Sequence, residues 1–353
     1  MPLTTAPVVG LDIGTSAVRA ALVARTRSGW SLLRFGQVAL PVGAVSGGEV
    51  RDEGAVAGAV EQLWKRARFK TKRVIVGVSN QRVVVRQVDL PYLDEKDLRS
   101  SIRFQIADHV PMPIEDAEID YWTLDDYTSE TGEHMLRLLL VAAASDMVQS
   151  FVGAASSAGL QPVGVDLSAF AISRAVSAAA RGEVGAAGAE AVVDVGAGTT
   201  NIVVHRGGEP RFVRILMIGG DDATTAIGRE TDVDYDEAEA TKLDLARGVG
   251  SPAARGVLQE QVQTLITEIE GSLDYYLTQD EGDPITSVIV TGGGSLAPGL
   301  FEGLQEVLPG EVRRATAFDD VDASKSGLTQ EQLAQVEQVA AAAVGLAMGG
   351  AAK

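Results

Sequence analysis

The chain has 353 residues, 46% of them hydrophobic, and carries a net charge of −18 from 48 acidic and 30 basic side chains. That length and apolar content support a substantial core in one large or several small units, and the acidic balance disfavours a surface that wraps nucleic acid. There is no cysteine, which rules out disulfides and thiolate metal sites, and three scattered histidines do not make a zinc centre.

The opening MPLTTAP lacks the basic start and apolar block of a signal peptide. No uninterrupted apolar stretch approaches the roughly 20 residues of a membrane helix, so a soluble cytoplasmic protein is expected. Residues 8–40 contain three strand-like runs, VVGLDI, VRAALVAR and WSLLRFGQVAL, the first two joined by a short hairpin-like turn. Val56, Val60, Leu63 and Ala67 recur at helical spacing within 53–68. Two strands follow, RVIVGVS and RVVVRQVDLP. Residues 94–166 differ in texture. Asp94 can cap a helix with the face Leu98, Ile102 and Ile106. A strand pair surrounds the turn SETGE, Ser145 can cap a second helix, and PVGVDL closes a small α+β insert. Residues 167–180 form a connecting helix, and the glycine-rich loop RGEVGAAGAE marks a boundary. The second half repeats the opening strand–turn–strand logic. Helical material at 221–247 then leads to a long helix near 252–278. The strand ITSVIVTGGG, a helix over PGLFEGLQEVL, a mobile-looking DDVDASKSG and one final Ala-rich helix near 330–347 complete the chain.

Two stretches share one pattern. Residues 8–20 read VVGLDIGTSAVRA and residues 191–204 read AVVDVGAGTTNIVV, with Asp12 and Asp194 in matching places. The separation of 182 positions (194 minus 12) excludes a short solenoid repeat and points to two related halves. The first turn supplies Gly14, Thr15 and Ser16; the second supplies Gly196, Gly198, Thr199 and Thr200. Glycine permits close backbone approach, successive N–H groups cradle anions, and the hydroxyls add donors. Facing each other, two such turns can clasp a triphosphate. A carboxylate is costly in a core but suits a magnesium ion that keeps most of its water shell. That gives Asp12 and Asp194 a reason to end their strands. A single D-x-G turn is more often a plain hairpin, so the matched pair carries the argument. In VIVTGGGS, Gly292, Gly293 and Gly294 bring backbone flush against a flat ligand such as adenine; the plainer alternative is a strand-to-helix loop. Glu239 and Lys242 share a helical face and can bond ribose hydroxyls, or form an ordinary surface ion pair. Gly219 and Gly220 add a close-approach loop beside the phosphates.

The order of these elements resembles the actin-like ATPase pattern shared by actin, sugar kinases and heat-shock chaperones. The segments that carry it are LDIGTSAVRA, LSAFAISRA, VVDVGAGTTNIVV, VIVTGGGSLAPGL and VAAAAVGLAM. Within that superfamily the chain resembles the PilM family of type IV pilus assembly proteins over residues 7–348. LPYLDEKDLRSSIRFQIADHVPMPIEDAEIDY is the most discriminating segment, supported by GLQPVGVDL, IGGDDATTAIG and EAEATKLD. The cell-division protein FtsA has a similarly placed insert, but usually ends in an amphipathic membrane-binding helix where this chain reads AVGLAMGGAAK.

The resemblance implies an α/β actin-like ATPase fold, two related halves around a nucleotide cleft. The first subdomain is expected at 1–90, an inserted α+β partner-binding subdomain at 91–166, the connecting helix and loop at 167–190, and the second half at 191–353, with a helical part near 221–280. It implies ATP and Mg²⁺. Asp12 and Asp194 are the expected catalytic and magnesium-facing carboxylates. Gly14, Thr15, Ser16, Gly196, Gly198, Thr199, Thr200, Gly219 and Gly220 are expected at the phosphates. Glu239 and Lys242 are expected at the ribose, and Gly292, Gly293 and Gly294 at the base. It implies capture of the N-terminal cytoplasmic peptide of the inner-membrane protein PilN between the first domain and the insert. It also implies contacts with other inner-membrane pilus assembly proteins, none with nucleic acid, and membrane association only through partners. Many relatives carry an acidic residue where Ser168 follows Asp166–Leu167, so weak or absent ATPase activity is expected. The rival readings are an FtsA-like filament former and, less favoured, an actin-fold small-molecule kinase.

Overall fold

A computed structural model describes residues 7–27, 29–182, 188–279 and 282–351. Part of the boundary loop at 181–190 lies outside the described residues. In chain order the first half comprises β1 (Val9–Ile13), β2 (Ala17–Thr26), β3 (Gly29–Ala39), the short pair β4 (Val45–Ser46) and β5 (Glu49–Val50), α1 (Glu53–Ala67), β6 (Arg73–Val78), β7 (Val83–Pro91), α2 (Glu95–Gln105), β8 (Ala117–Thr128), β9 (His134–Ala144), α3 (Ser145–Ser157) and β10 (Gln161–Leu167). The helix α4 (Ser168–Val176) connects to β11 (Ala189–Val195), β12 (Thr200–Arg206), β13 (Glu209–Leu216), α5 (Gly220–Thr231), α6 (Tyr235–Ala246), α7 (Pro252–Leu277), β14 (Ile285–Thr291), α8 (Leu300–Val307), β15 (Glu311–Arg314), β16 (Val321–Asp322), α9 (Gln330–Val336) and α10 (Ala341–Ala351).

The two halves are topological copies. The first sheet runs β10-β6-β1-β2-β3-β16 and the second β15-β14-β11-β12-β13. In both, three strands form an antiparallel meander and two more add in parallel beside the first strand. The central strands β1 and β11 are buried almost throughout, which their continuous apolar runs anticipate. The carboxylates that end those runs stand at the carboxyl ends of the strands, at the mouth between the halves.

Between the sheets lie α4 and α10, rich in Ala, Gly, Ser and Val. Their approach is close enough that a Cβ on Gly345 would sit 1.7 Å from the Ala171 carbonyl oxygen. Small residues are therefore a geometric requirement of this crossing. A separate core of Trp30, Leu32, Ile172, Val192, Ile289 and Val344 fills the space around them.

Several expectations need correction. The boundaries 1–90 and 91–166 cut across real units. Strand β7 pairs along its whole length with β9, in the three-stranded sheet β7-β9-β8. It packs Val88 and Leu90 against Leu98, Ile102 and Ile106 of the α2 segment. At the other edge, β10 pairs in parallel with β6, and α3 buries Met147, Val148 and Phe151 in the first subdomain core. The strands that pair as this sheet, with the α2 segment packed on them, span residues 83–144. Asp94 does cap α2, accepting from the Asp97 N–H at 2.8 Å. Ser145 does not cap α3: Ala144 takes that place, and the Ser145 hydroxyl donates to Glu118 instead. The DDVDASKSG stretch contains β16, paired in parallel with Trp30–Ser31 of β3. The single final helix is two, α9 and α10. The Glu337 carbonyl accepts from Ala317 N, outside the helix, so the ladder stops there.

Candidate nucleotide cleft

The hairpin β1–β2 closes through Gly14, whose N–H donates to the Ala17 carbonyl at 3.0 Å; in β11–β12 the Gly196 N–H donates to Thr199 at 2.9 Å. The two turns meet across the cleft. A Cβ on Gly198 would lie 2.5 Å from Thr15 Oγ1, so glycine is what lets the halves close. They border a cavity of about 660 Å³, within the roughly 300–1,000 Å³ typical of small-molecule sites. Asp12, Gly14, Thr15, Ser16, Asp194, Gly196, Gly198, Thr199, Gly219, Gly220, Glu239, Lys242, Gly292, Gly293 and Gly294 all line it.

Thr200 does not. It is fully buried, and its hydroxyl donates to the Ile218 carbonyl at 2.8 Å, so it braces the loop that delivers Gly219. As the first residue of β12, its side chain falls on the inward face, and proximity in sequence to Thr199 hides that. The three glycines differ among themselves. The left-handed backbone belongs to Gly292, φ 91°, where a Cβ would sit 2.4 Å from the Val195 carbonyl. At Gly293 a Cβ would meet only Val339 Cγ1, at 3.1 Å. The triple glycine thus packs primarily on the second turn and offers its outer surface to the cavity.

The carboxylates have different neighbours. Asp12 faces Arg19 across the hairpin, with 3.6 Å between Oδ2 and Nη1. Burial raises its pKa, and the guanidinium opposes that rise. Asp194 faces Asn201, whose amide donates to Oδ2 at 3.3 Å. Burial pushes Asp194 up to about 6, the Asn201 bond opposes this, and the Asp12 charge adds to it. Asn201 in turn accepts from the Ser79 hydroxyl at 2.7 Å, tying the halves together. Arg19 Nε is buried and has no hydrogen-bond partner.

The expected Glu239–Lys242 pair forms, at 2.7 Å, and is more than a surface pair. Lys242 also donates to the Gly220 carbonyl at 3.0 Å and to Thr224 Oγ1 at 2.7 Å, while the Thr224 hydroxyl donates to Glu239. This network clamps α6 to the start of α5. Beside it Tyr235 donates to Asp221 at 2.9 Å, and burial raises both groups. Ser168, the first residue of α4, is buried in the cleft wall.

Arg19, Asn201, Ser79 and Thr224 escape the sequence reading. The first two were detectable. In each half the residue opposite the aspartate follows it by seven positions (19 minus 12, 201 minus 194), a spacing set by the hairpin register. Ser79 reaches the cleft, and Thr224 reaches the Glu239–Lys242 pair behind it, only through nonlocal packing.

The donor set fits a nucleotide with a divalent cation. Two buried carboxylates whose charged forms are disfavoured gain most from a nearby cation, and the unsatisfied Arg19 donor is suited to a phosphate oxygen. Among the described residues no group of three or more His, Cys, Asp or Glu side chains could hold a metal ion.

A second cavity of about 300 Å³ lies where the insert meets α4 and β12–β13. Trp122 and Leu139 of the insert, Phe170 of α4 and Pro210 border it. Trp122 is 52% exposed and stands edge-on to Phe170, with centroids 6.2 Å apart. No helix among the described residues is long and apolar enough to cross a membrane.

Comparison with known proteins places these features in a family. A solved structure titled a PilM-PilN type IV pilus biogenesis complex superposes with a TM-score of 0.85 at 26% identity, covering 98% of this chain and 99% of that one. The cell division protein FtsA of Streptococcus pneumoniae is 24% identical over 344 residues, 86% of this chain and 74% of its own. MreB5 of Spiroplasma citri bound to ADP, at 13% identity and a TM-score of 0.51 over 89% of this chain and 93% of that one, shares the fold. The fold is that of the actin-like ATPases, as its neighbours show. A profile described as type IV pilus assembly protein PilM matches residues 10–351, and the chain belongs to that family.

Proposed function

We propose that this chain is a nucleotide-operated scaffold of type IV pilus assembly, binding ATP with Mg²⁺ in the cleft and the N-terminal cytoplasmic tail of PilN beside the insert. The observation that carries the nucleotide half is the pair of facing turns with Asp12 and Asp194 buried at their bases. Asp12 and Asp194 face the magnesium through water. The N–H groups and hydroxyls at Gly14–Ser16 and Gly196–Thr199 receive the phosphates, and Arg19 adds its guanidinium. Glu239 and Lys242 hold the ribose, with Gly292–Gly294 behind the base. When bound, the cation offsets phosphate charge and positions the γ-phosphoryl group. Asp194 also polarises the attacking water. Ser168 supplies only a hydroxyl at the head of α4, so turnover is slow or absent.

The likeness to the PilM-PilN complex supports the tail-binding half. The second cavity offers apolar walls for a peptide side chain, in the manner of peptide-groove recognition. It touches the insert, α4 and the second half together, so closure of the cleft around nucleotide alters its shape. The protein then sits at the inner face of the cytoplasmic membrane through PilN and other inner-membrane pilus proteins.

The test is a pair of titrations on nucleotide-free protein: ATP with and without Mg²⁺ followed by melting temperature, then a PilN tail peptide with and without ATP. Saturable stabilisation by MgATP and saturable peptide binding are expected. No thermal shift would remove the nucleotide site. No peptide binding, with ATP-driven polymers in negative-stain images, would favour the FtsA-like reading.

A further inference from the structure

Residues 65–73 read KRARFKTKR: six of the chain's 30 cations within nine residues, with no acid among them. They cover the last turn of α1, the loop after it and the first residue of β6. Lys65, Arg66, Arg68, Lys70 and Lys72 are exposed and Arg73 is half-buried. None of the six forms an ion pair with another described residue. In a chain of net charge −18, a cluster of free cations this dense stands apart from its surroundings.

Helix capping explains only part of it. Lys65 and Arg66 complement the negative end of the α1 dipole, but Lys70, Lys72 and Arg73 lie beyond that end. Arg68 occupies the left-handed C-cap position, φ 54°, where glycine is the easier residue. The cations are spread over a helix end, a loop and a strand start. The apolar residues between them turn inward: Phe69 is buried and the Trp64 ring packs on it, its Nε1 donating to the Thr71 carbonyl at 2.9 Å. A protein partner is usually anchored by exposed aromatic or aliphatic groups, and this patch has none. Neither of the two cavities described above includes any of these residues.

The patch also lies away from the nucleotide cleft. β6 begins in it at Arg73 and delivers Gly77 and Ser79 to the cleft at its other end. Six residues of strand span about 20 Å, or about two Debye lengths at 0.1 M salt. At that separation the cleft carboxylates do not neutralise the patch, and the patch does not bind the nucleotide.

We propose that the α1–β6 basic patch is an electrostatic docking surface for an anionic phospholipid headgroup layer. Polybasic clusters of this size are attracted to such surfaces within a Debye length, whatever the charge of the remote parts of the molecule. The contact sets an orientation, with the basic end toward the lipid and the cleft away from it. It requires neither nucleotide nor PilN, so it holds or fails independently of the function proposed above.

The experiment is co-sedimentation of the full chain, alone, with vesicles of phosphatidylcholine and with vesicles in which about one-third of the lipid is phosphatidylglycerol. Partition into the anionic vesicles should be at least about tenfold higher and should fall about tenfold as salt rises to about 0.3 M. The triple variant R66E/K70E/K72E should lose the difference at an unchanged melting temperature, while R66K/K70R/K72R should retain it. Equal binding to both vesicle types, or undiminished binding by the charge-reversed variant, would overturn the proposal. So would a chain that ignores both vesicles yet is captured on immobilised polyglutamate in a patch-dependent, salt-sensitive way, which would assign the surface to an acidic protein.

Discussion

At the first turn Asp12 faces a guanidinium; at the second Asp194 faces a neutral amide. The backbones match hydrogen bond for hydrogen bond, yet the electrostatic settings diverge. Arg19 supplies the first carboxylate with a counter-charge. Asn201 gives the second a hydrogen bond but no charge, and burial lifts Asp194 to about 6 against that bond. Duplicated turns thus differ in duty. Burial disfavours the charged form of both, but Arg19 offsets part of that cost at the first, so the second gains most when a cation enters. An acid–base role is also easier for the group whose pKa lies nearer neutrality.

The largest effect should come from forcing the two turns apart. Gly198→Val places a branched side chain where Thr15 now packs and should lower MgATP affinity by at least about 100-fold, or about 2.8 kcal/mol. Isothermal calorimetry on the folded variant measures this; unchanged affinity would show that the turns do not share a ligand.

Breaking the asymmetry directly should cost somewhat less. Asp194→Asn is expected to weaken MgATP binding about 10- to 100-fold while leaving metal-free ATP nearly unaffected. The nucleotide-free variant should be more stable than the parent at pH 7.5, because a disfavoured buried charge is gone. The rise from 3.8 to about 6 sets a ceiling of about 3 kcal/mol on that gain. Asp12→Asn should instead destabilise, since it strands Arg19. Urea unfolding of the two variants side by side decides; equal responses would erase the distinction drawn between the turns.

The pH dependence sharpens the same point. A carboxyl whose folded pKa is raised holds its proton while the unfolded chain has lost it. Asp194 therefore lowers the stability of the nucleotide-free protein as pH climbs from about 4 to 6, and adds no further change above that. MgATP affinity should move oppositely, falling as pH drops below about 6 because the protonated group cannot serve the cation. Asp194→Asn should flatten both profiles, and a variant that keeps the parental slopes would place the titration elsewhere.

The smallest effect tests whether the insert acts apart from either turn. Trp122→Ala removes an exposed ring with one edge contact to Phe170 and should weaken PilN-tail binding about tenfold. Fluorescence anisotropy with the labelled peptide reads it out, with MgATP affinity and melting temperature unchanged. Loss of both ligands together would mean that the ring supports the fold and not the partner.

Much of the site was legible in the chain. Asp12, Asp194 and their glycines were readable because a hairpin turn is local: strand, turn and return strand lie within about a dozen residues. The same locality exposes Glu239–Lys242 as neighbours on one helical face. Even Arg19 and Asn201 follow from the register once the hairpin is granted. The KRARFKTKR run was equally plain as composition, though nothing in the run itself says that its cations stay unpaired.

Other features waited for the packed molecule. Thr200 turns from the cleft to Ile218, and Thr224 bridges Lys242 and Glu239 across two helices. β7 belongs to the insert and β10 to the first sheet, although both read simply as apolar strands. The reason is physical. Periodicity, caps and turn residues are written along the chain, because they arise between neighbours a few positions apart. Strand partners, the meeting of Thr15 with Gly198 and the burial that lifts Asp194 arise between segments up to hundreds of positions apart. The amino-acid sequence by itself determined the two turns and the small-residue helices that allow the halves to approach. Only the tertiary structure decided that the two turns meet and that burial where they meet lifts Asp194, because both depend on segments far apart in the chain.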